Sequence, residues 1–153
     1  MPVIKHEEFI VAPLELCFDL ARNVDIHTRT TPGTKEKAIG GVVTGLLEEG
    51  DIVTWEATHF GIRQRLTAKV IHMKKPYSFV DVMVKGAFHS FHHTHQFLQE
   101  ADGTIMIDTF DYKSPLGFIG SAADRLFLAN YMRQFIVSRA KELKKLAENI
   151  DDK

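Results

Sequence analysis

Residues 114–149 read SPLGFIGSAADRLFLANYMRQFIVSRAKELKKLAEN, and the rest of the chain has to be arranged around them. Phe118, Ala122, Leu126, Ala129, Met132, Ile136, Ala140, Leu143 and Ala147 follow one another in steps of three and four, the spacing that puts side chains on one face of an α-helix. Roughly thirty residues at about 1.5 Å each make a rod of ~45 Å, long enough to cross a small domain. Between 118 and 137 a second apolar line of Ile119, Ala123, Phe127, Tyr131 and Phe135 widens the stripe. Beyond Ser138 the expected exposed positions are Arg139, Lys141, Glu142, Lys144 and Lys145. The first half therefore covers something large, while the second is half in water. Ser114 as N-cap before Pro115 opens the helix, and Ser121 with Asp124 offers a second capping-box-like start.

What the helix covers is read from the segments before it. Residues 3–11 (VIKHEEFIV) form a strand, and Pro13 suits the first position of a short helix over 14–22 carrying Leu14, Cys17, Phe18 and Ala21. Residues 25–35 are turn-rich, with room for one more helical turn. A strand over 37–47 is bulged by Gly40, Gly41 and Gly45, and Glu49-Gly50 turns the chain. Residues 51–60 alternate, with Val53, Trp55, Ala57 and His59 on one face; Leu66, Ala68 and Val70 do the same in 63–73. A Gly61-Ile62 loop of type II′ pairs Ala57 with Leu66 and Trp55 with Ala68. In 78–85 the sets Phe79, Asp81, Met83 and Val80, Val82, Val84 compete equally for the inner face. Residues 88–98 (FHSFHHTHQFL) turn His89, Phe91, His93, His95 and Phe97 inward. An Asp102-Gly103 turn then sets Phe97 opposite Asp108 and His95 opposite Phe110, with Met106 and Tyr112 on the same face.

At 153 residues, 44% hydrophobic and 25% charged, the chain suits one domain with one sizeable core. A formal charge of −1 without blocks of one sign excludes an electrostatic case for nucleic acid or an anionic membrane. MPVIKHEEF has no long apolar region after a basic one, and no run approaches the ~20 apolar residues of a transmembrane helix. A single cysteine, Cys17, rules out an internal disulfide and fits a reducing compartment, so the expected location is the cytoplasm. Oligomeric state has no signature.

The order strand, short helices, about six antiparallel strands and long C-terminal helix resembles the helix-grip fold of the START, polyketide-cyclase and plant-pollen-allergen superfamily, SRPBCC. More specific are WEATHFG at 55–61, FVDVMVKGAF at 79–88, FHHTHQF at 91–97 and MIDTFDYKSPLGFIG at 106–120, which are similar to a bacterial ligand-binding branch of cyclase- or dehydrase-like proteins. The resemblance covers essentially the whole chain. It implies an α+β architecture: a curved antiparallel sheet of six or seven strands wrapped around the C-terminal helix, one or two short helices after strand 1, and a cavity between sheet and helix. It carries no invariant catalytic set, because this superfamily keeps the container while changing its contents.

Candidate contacts to a ligand in that cavity are Trp55, His59, Phe91, His93, His95, Phe97, Asp108, Phe110, Phe118, Phe127 and Tyr131. His93 and His95 lie two apart on one strand face, about 6.5 to 7 Å between Cα atoms, near enough to converge. Their spacing is not diagnostic of a metal, and no cofactor motif is present, so neither is expected. His95 with Asp108 reads as a structural hydrogen bond, as groups orienting a ligand, or as acid–base machinery in which Tyr112 or His59 steadies an enolate oxygen. The expected function is binding of a hydrophobic, lipid-like or aromatic polyketide-like molecule. The alternatives are a cyclase or dehydratase using His95, Asp108, His93 and Tyr112, or an interaction domain with a filled core.

Overall fold

The computed structural model describes residues 3–114 and 127–151. Seven strands form one antiparallel sheet in the order β1-β7-β6-β5-β4-β3-β2. They are β1 (Val3–Ile10), β2 (Lys37–Gly41), β3 (Ile52–His59), β4 (Ile62–Lys74), β5 (Ser78–Lys85), β6 (Ser90–Glu100) and β7 (Gly103–Lys113). Two short helices, α1 (Leu14–Ala21) and α2 (Val24–Arg29), follow β1, and the chain closes with α3 (Ala129–Asp151). Among the described residues no helix is long and apolar enough to cross a membrane.

Local chemistry explains the elements and corrects several expectations. Pro13 is the N-cap of α1 rather than its first residue, with φ −63° and ψ 151° in the extended region. Asn23 caps α2 by accepting from the Ile26 N–H at 3.1 Å. The strand expected to reach residue 47 stops at Gly41, because the following backbone bonds to the α1–α2 junction instead: Val24 N–H to Gly45 O and Leu47 N–H to Arg22 O, both 2.9 Å. Arg22 reinforces this junction, binding Asp19, the Leu47 carbonyl and Glu48. His89, expected inside, lies before β6 and is exposed.

Both predicted hairpin turns sit one residue too late. Phe60 (φ 55°) and Gly61 (φ 75°) form the β3–β4 turn, a type I′ geometry, so Trp55 opposes Leu66 and Ala57 opposes Gln64. At the β6–β7 turn the loop residues are Ala101 and Asp102, and neither has positive φ. Gly103 belongs to β7. A Cβ there would stand 2.3 Å from the Ile10 carbonyl oxygen, so glycine answers to the close approach of β1 rather than to the turn. Each correction moves the partner by two residues, which leaves the paired residues of these two hairpins on their predicted faces. It also places His95 directly opposite Asp108.

α3 presents Met132, Ile136, Ala140, Leu143 and Ala147 to the sheet. The interior is divided among three apolar clusters. One centres on Phe18, Phe79, Phe97 and Leu143, a second on Phe91, Phe110, Tyr112 and Ile136, and a third on Val24, Val53 and Trp55. The space left between them is the site.

Candidate functional site

A cavity of about 330 Å³ lies between the sheet and α3. Its apolar wall takes Val53 and Trp55 from one cluster, Phe79 and Val70 from another, and Phe91, Phe110 and Ile136 from the third. Of the predicted contacts, Trp55, His59, Phe91, His93, His95, Asp108, Phe110 and Tyr131 are brought together around this one space. Phe97 is not among them. Although it shares a strand face with Phe91, Phe18 of α1 covers it at 5.5 Å between ring centroids, and it is plain core. Tyr112 is likewise fully buried and does not reach the cavity, so it cannot offer its hydroxyl there. Phe127 is 68% exposed and points away; Leu128 lines the wall in its stead. Phe118, Pro115 and the second capping pair lie outside the described residues.

The polar heart of the cavity is built across three adjacent strands, β5, β6 and β7. β5 turns Phe79, Asp81 and Met83 inward, which decides the face that alternation left open. Asp81 opposes His93, and His95 opposes Asp108. His95 thus stands between two carboxylates, with Nε2 2.8 Å from Asp81 Oδ1 and Nδ1 3.2 Å from Asp108 Oδ1. His93 Nε2 reaches the same Asp108 oxygen at 3.0 Å. The rings of Phe79, His95 and His93 stack in sequence, with centroids 4.1 and 3.9 Å apart.

The charges follow from these contacts. Burial alone would raise the Asp108 pKa, but hydrogen bonds from both imidazoles outweigh it and hold the carboxyl well below its ordinary range. Asp81 behaves alike, burial being overcome by the bond from His95. For His95 burial works downward, yet the two carboxylates raise it above the usual imidazole value. His93 is lowered by burial and by the neighbouring His95, with Asp108 compensating in part. An ionised carboxylate only accepts, so every ring nitrogen facing one must carry hydrogen. His95 thus donates from Nε2 to Asp81 and His93 from Nε2 to Asp108, while His95 Nδ1 stands at ion-pair distance from Asp108.

A second polar group faces the first. His27 stacks on Trp55 with centroids 4.2 Å apart and meets Glu36 Oε1 at 3.1 Å, while Thr34 Oγ1 donates to Glu36 Oε2 at 3.2 Å. Burial, and then the charge of Arg139, hold His27 low. Burial would raise Glu36, but the bond from His27 keeps it below its ordinary value. Arg139, expected in water, lines the cavity and donates from Nη2 to the Ala21 carbonyl at 3.1 Å. Near the β3–β4 turn His59 Nδ1 hydrogen-bonds the Tyr131 hydroxyl, and the Phe60 ring leans on Tyr131.

Asp81, Glu36, His27 and Arg139 were not among the predicted site residues. For Arg139 a signal existed, since Tyr131, Phe135 and Arg139 are spaced by four and share a helix face. Glu36 and His27 meet only because α2 packs over β2 and β3, which no spacing announces. The atoms of Asp81, His93 and His95 that could bind a metal lie within 4.8 Å of one another.

A sheet gripping a C-terminal helix over an internal cavity defines a helix-grip protein of the SRPBCC superfamily. Residues 10–136 match the family described as polyketide cyclase / dehydrase and lipid transport, and the chain belongs to that family. Solved structures with the same fold include the protein TTHA0849 of Thermus thermophilus, 20% identical with a TM-score of 0.78 over 94% of this chain and 95% of that one. Protein CV1439 from Chromobacterium violaceum is 12% identical, with a TM-score of 0.76 over 97% and 99%. Major latex-like protein 151 from Panax ginseng is 13% identical, with a TM-score of 0.72 over 95% and 97%. None of the curated proteins matches the chain.

Proposed function

We propose that the protein binds a hydrophobic small molecule, lipid-like or aromatic, in the cavity between sheet and α3. The observation that carries this reading is the cavity itself: about 330 Å³, walled by aromatic and aliphatic side chains from three separate clusters, with a few convergent polar groups. Those polar groups serve to orient the ligand. The family description, which includes lipid transport, supports the same reading. The alternative of a cyclase or dehydratase working through His95 and Asp108 has less support, because both nitrogens of His95 already face carboxylates and Tyr112 is out of reach.

The test is native mass spectrometry of the purified full chain with solvent extraction of whatever it carries, followed by titration of the extracted protein with a neutral naphthalene fluorophore. One probe per chain should bind saturably. Ala57→Trp, which fills the cavity from β3, should abolish binding while the far-ultraviolet spectrum stays that of the parent. Absence of saturable binding by the extracted parent protein would overturn the proposal.

A further inference from the structure

We propose that Asp81, His93 and His95 form a binding site for one divalent transition-metal ion on the cavity wall, with Asp108 as the outer carboxylate that orients both imidazoles. The site does not depend on which apolar molecule the cavity takes.

The donor set comes from two adjacent, directly paired strands in the middle of the sheet. Two imidazoles and one carboxylate, without thiolate, suit zinc, iron(II), cobalt or nickel; calcium and magnesium favour all-oxygen shells. Donors about 2.1 Å from an ion and at right angles are about 3.0 Å apart. His95 Nε2 and Asp81 Oδ1, 2.8 Å apart, already stand at that separation. The donor atoms lie within 4.8 Å of one another, so the widest pair has to close in around an ion.

The outer contacts match what a metal site requires. Imidazoles that ligate an ion almost always hold their other nitrogen on a carboxylate or carbonyl. Asp108 Oδ1 does this for both rings, taking His93 Nε2 at 3.0 Å and His95 Nδ1 at 3.2 Å. That leaves the second nitrogen of His93 and His95 Nε2, whose hydrogen bond to Asp81 an ion would replace. Asp81 keeps 23% of its side chain exposed although it lies on the central strand, because it faces the cavity. An ion there would have open positions toward a bound ligand or water.

Charge gives an independent reason. Among the described residues, Glu36, Asp81 and Asp108 line the cavity against a single interior guanidinium, Arg139, since Arg65 at the rim is paired with Glu56. With neutral imidazoles two negative charges are left in a low-dielectric space. A divalent ion cancels that deficit.

The experiment uses the full chain, stripped with chelator and titrated with Co²⁺ and Zn²⁺ by calorimetry and, for cobalt, by visible absorption. One ion per chain should bind, Zn²⁺ should displace Co²⁺, and millimolar Mg²⁺ should not. Asp81→Asn and His93→Gln should each weaken Co²⁺ binding at least about tenfold, and Asp108→Asn about 10–100-fold through loss of orientation. In the unmutated protein Zn²⁺ should also raise the melting temperature, a readout that survives any variant failing to fold. The proposal is overturned if the stripped parent chain takes up no stoichiometric ion. It is equally overturned if folded Asp81→Asn and His93→Gln bind as the parent does, which would assign the ion to outer histidines such as His72, His89 and His92.

Discussion

Replacing Ala57 with leucine asks whether the space under α3 is a void. Ala57 is only 7% exposed, sits on β3 between Trp55 and His59, lines the cavity and belongs to none of the three packed clusters. Leucine adds three carbons. At about 0.8 kcal/mol for each buried methylene, full burial is worth ~2.4 kcal/mol, less about 0.5–1 kcal/mol of side-chain entropy. The expected net gain is about 1–2 kcal/mol. At roughly 2–4 °C per kcal/mol for a chain of this size, the melting temperature should rise by about 2–8 °C. In a solid core the same change forces strained rotamers and loses about 1–3 kcal/mol, so the two pictures differ in sign. The assay is thermal and urea unfolding of ligand-extracted protein, with the fluorophore titration alongside, where leucine should weaken binding by competing for the same volume. A clearly lowered melting temperature with unchanged probe affinity would refute the reasoning.

Other substitutions separate core from cavity. Phe97→Ala should lose about 3–5 kcal/mol in denaturant unfolding yet leave probe affinity within about twofold, because Phe97 packs on Phe18 and Phe79 and not on the ligand space. Gly103→Ala should destabilise by at least about 1–3 kcal/mol, with hydrogen-exchange protection lost first in β1, since the new methyl collides with the Ile10 carbonyl; unaltered exchange there would count against it. The pH profile of stability should fall on the acid side of neutrality. His27 and His93 are held low, chiefly by burial, so the unfolded chain takes up protons near pH 6.5 while these folded imidazoles do not, and stability drops as pH falls from 6.5 toward their lowered values. His95, held high by its carboxylates, acts in the opposite sense: its contribution is complete below about 6.5 and is lost as pH rises through its raised value. His27→Gln should flatten the acid slope of the denaturation midpoint, and an unchanged slope would sink the assignment.

Much of the fold was legible because it rests on period. Alternation in β3, β4, β6 and β7 put Trp55, Ala68, Phe91 and Asp108 on the inner face, and the three-four spacing of Met132, Ile136, Ala140, Leu143 and Ala147 defined the buried stripe of α3. The turns were less legible. Gly61 and Gly103 look equivalent in sequence, yet one supplies a positive φ and the other makes room for a neighbouring carbonyl. The resulting offset of two residues preserved the faces, because parity survives any even shift. On β5 the contrast failed, since Val80 and Val82 are partly buried on the outer face while Phe79 and Asp81 occupy the inner one.

Sequence by itself therefore determined the inner faces of β3, β4, β6 and β7, the buried stripe of α3 and that the family's fold would result. Only the tertiary structure decided what those side chains meet. Phe91 and Phe97 share a strand face, but α1 covers one and leaves the other to the cavity. His95 and Asp81 come within 2.8 Å across strands whose offset is set by turns and by helix docking, not by the pattern within either strand. Periodicity is a property of one element and fixes direction. Contact is a property of several elements and depends on how they are brought together.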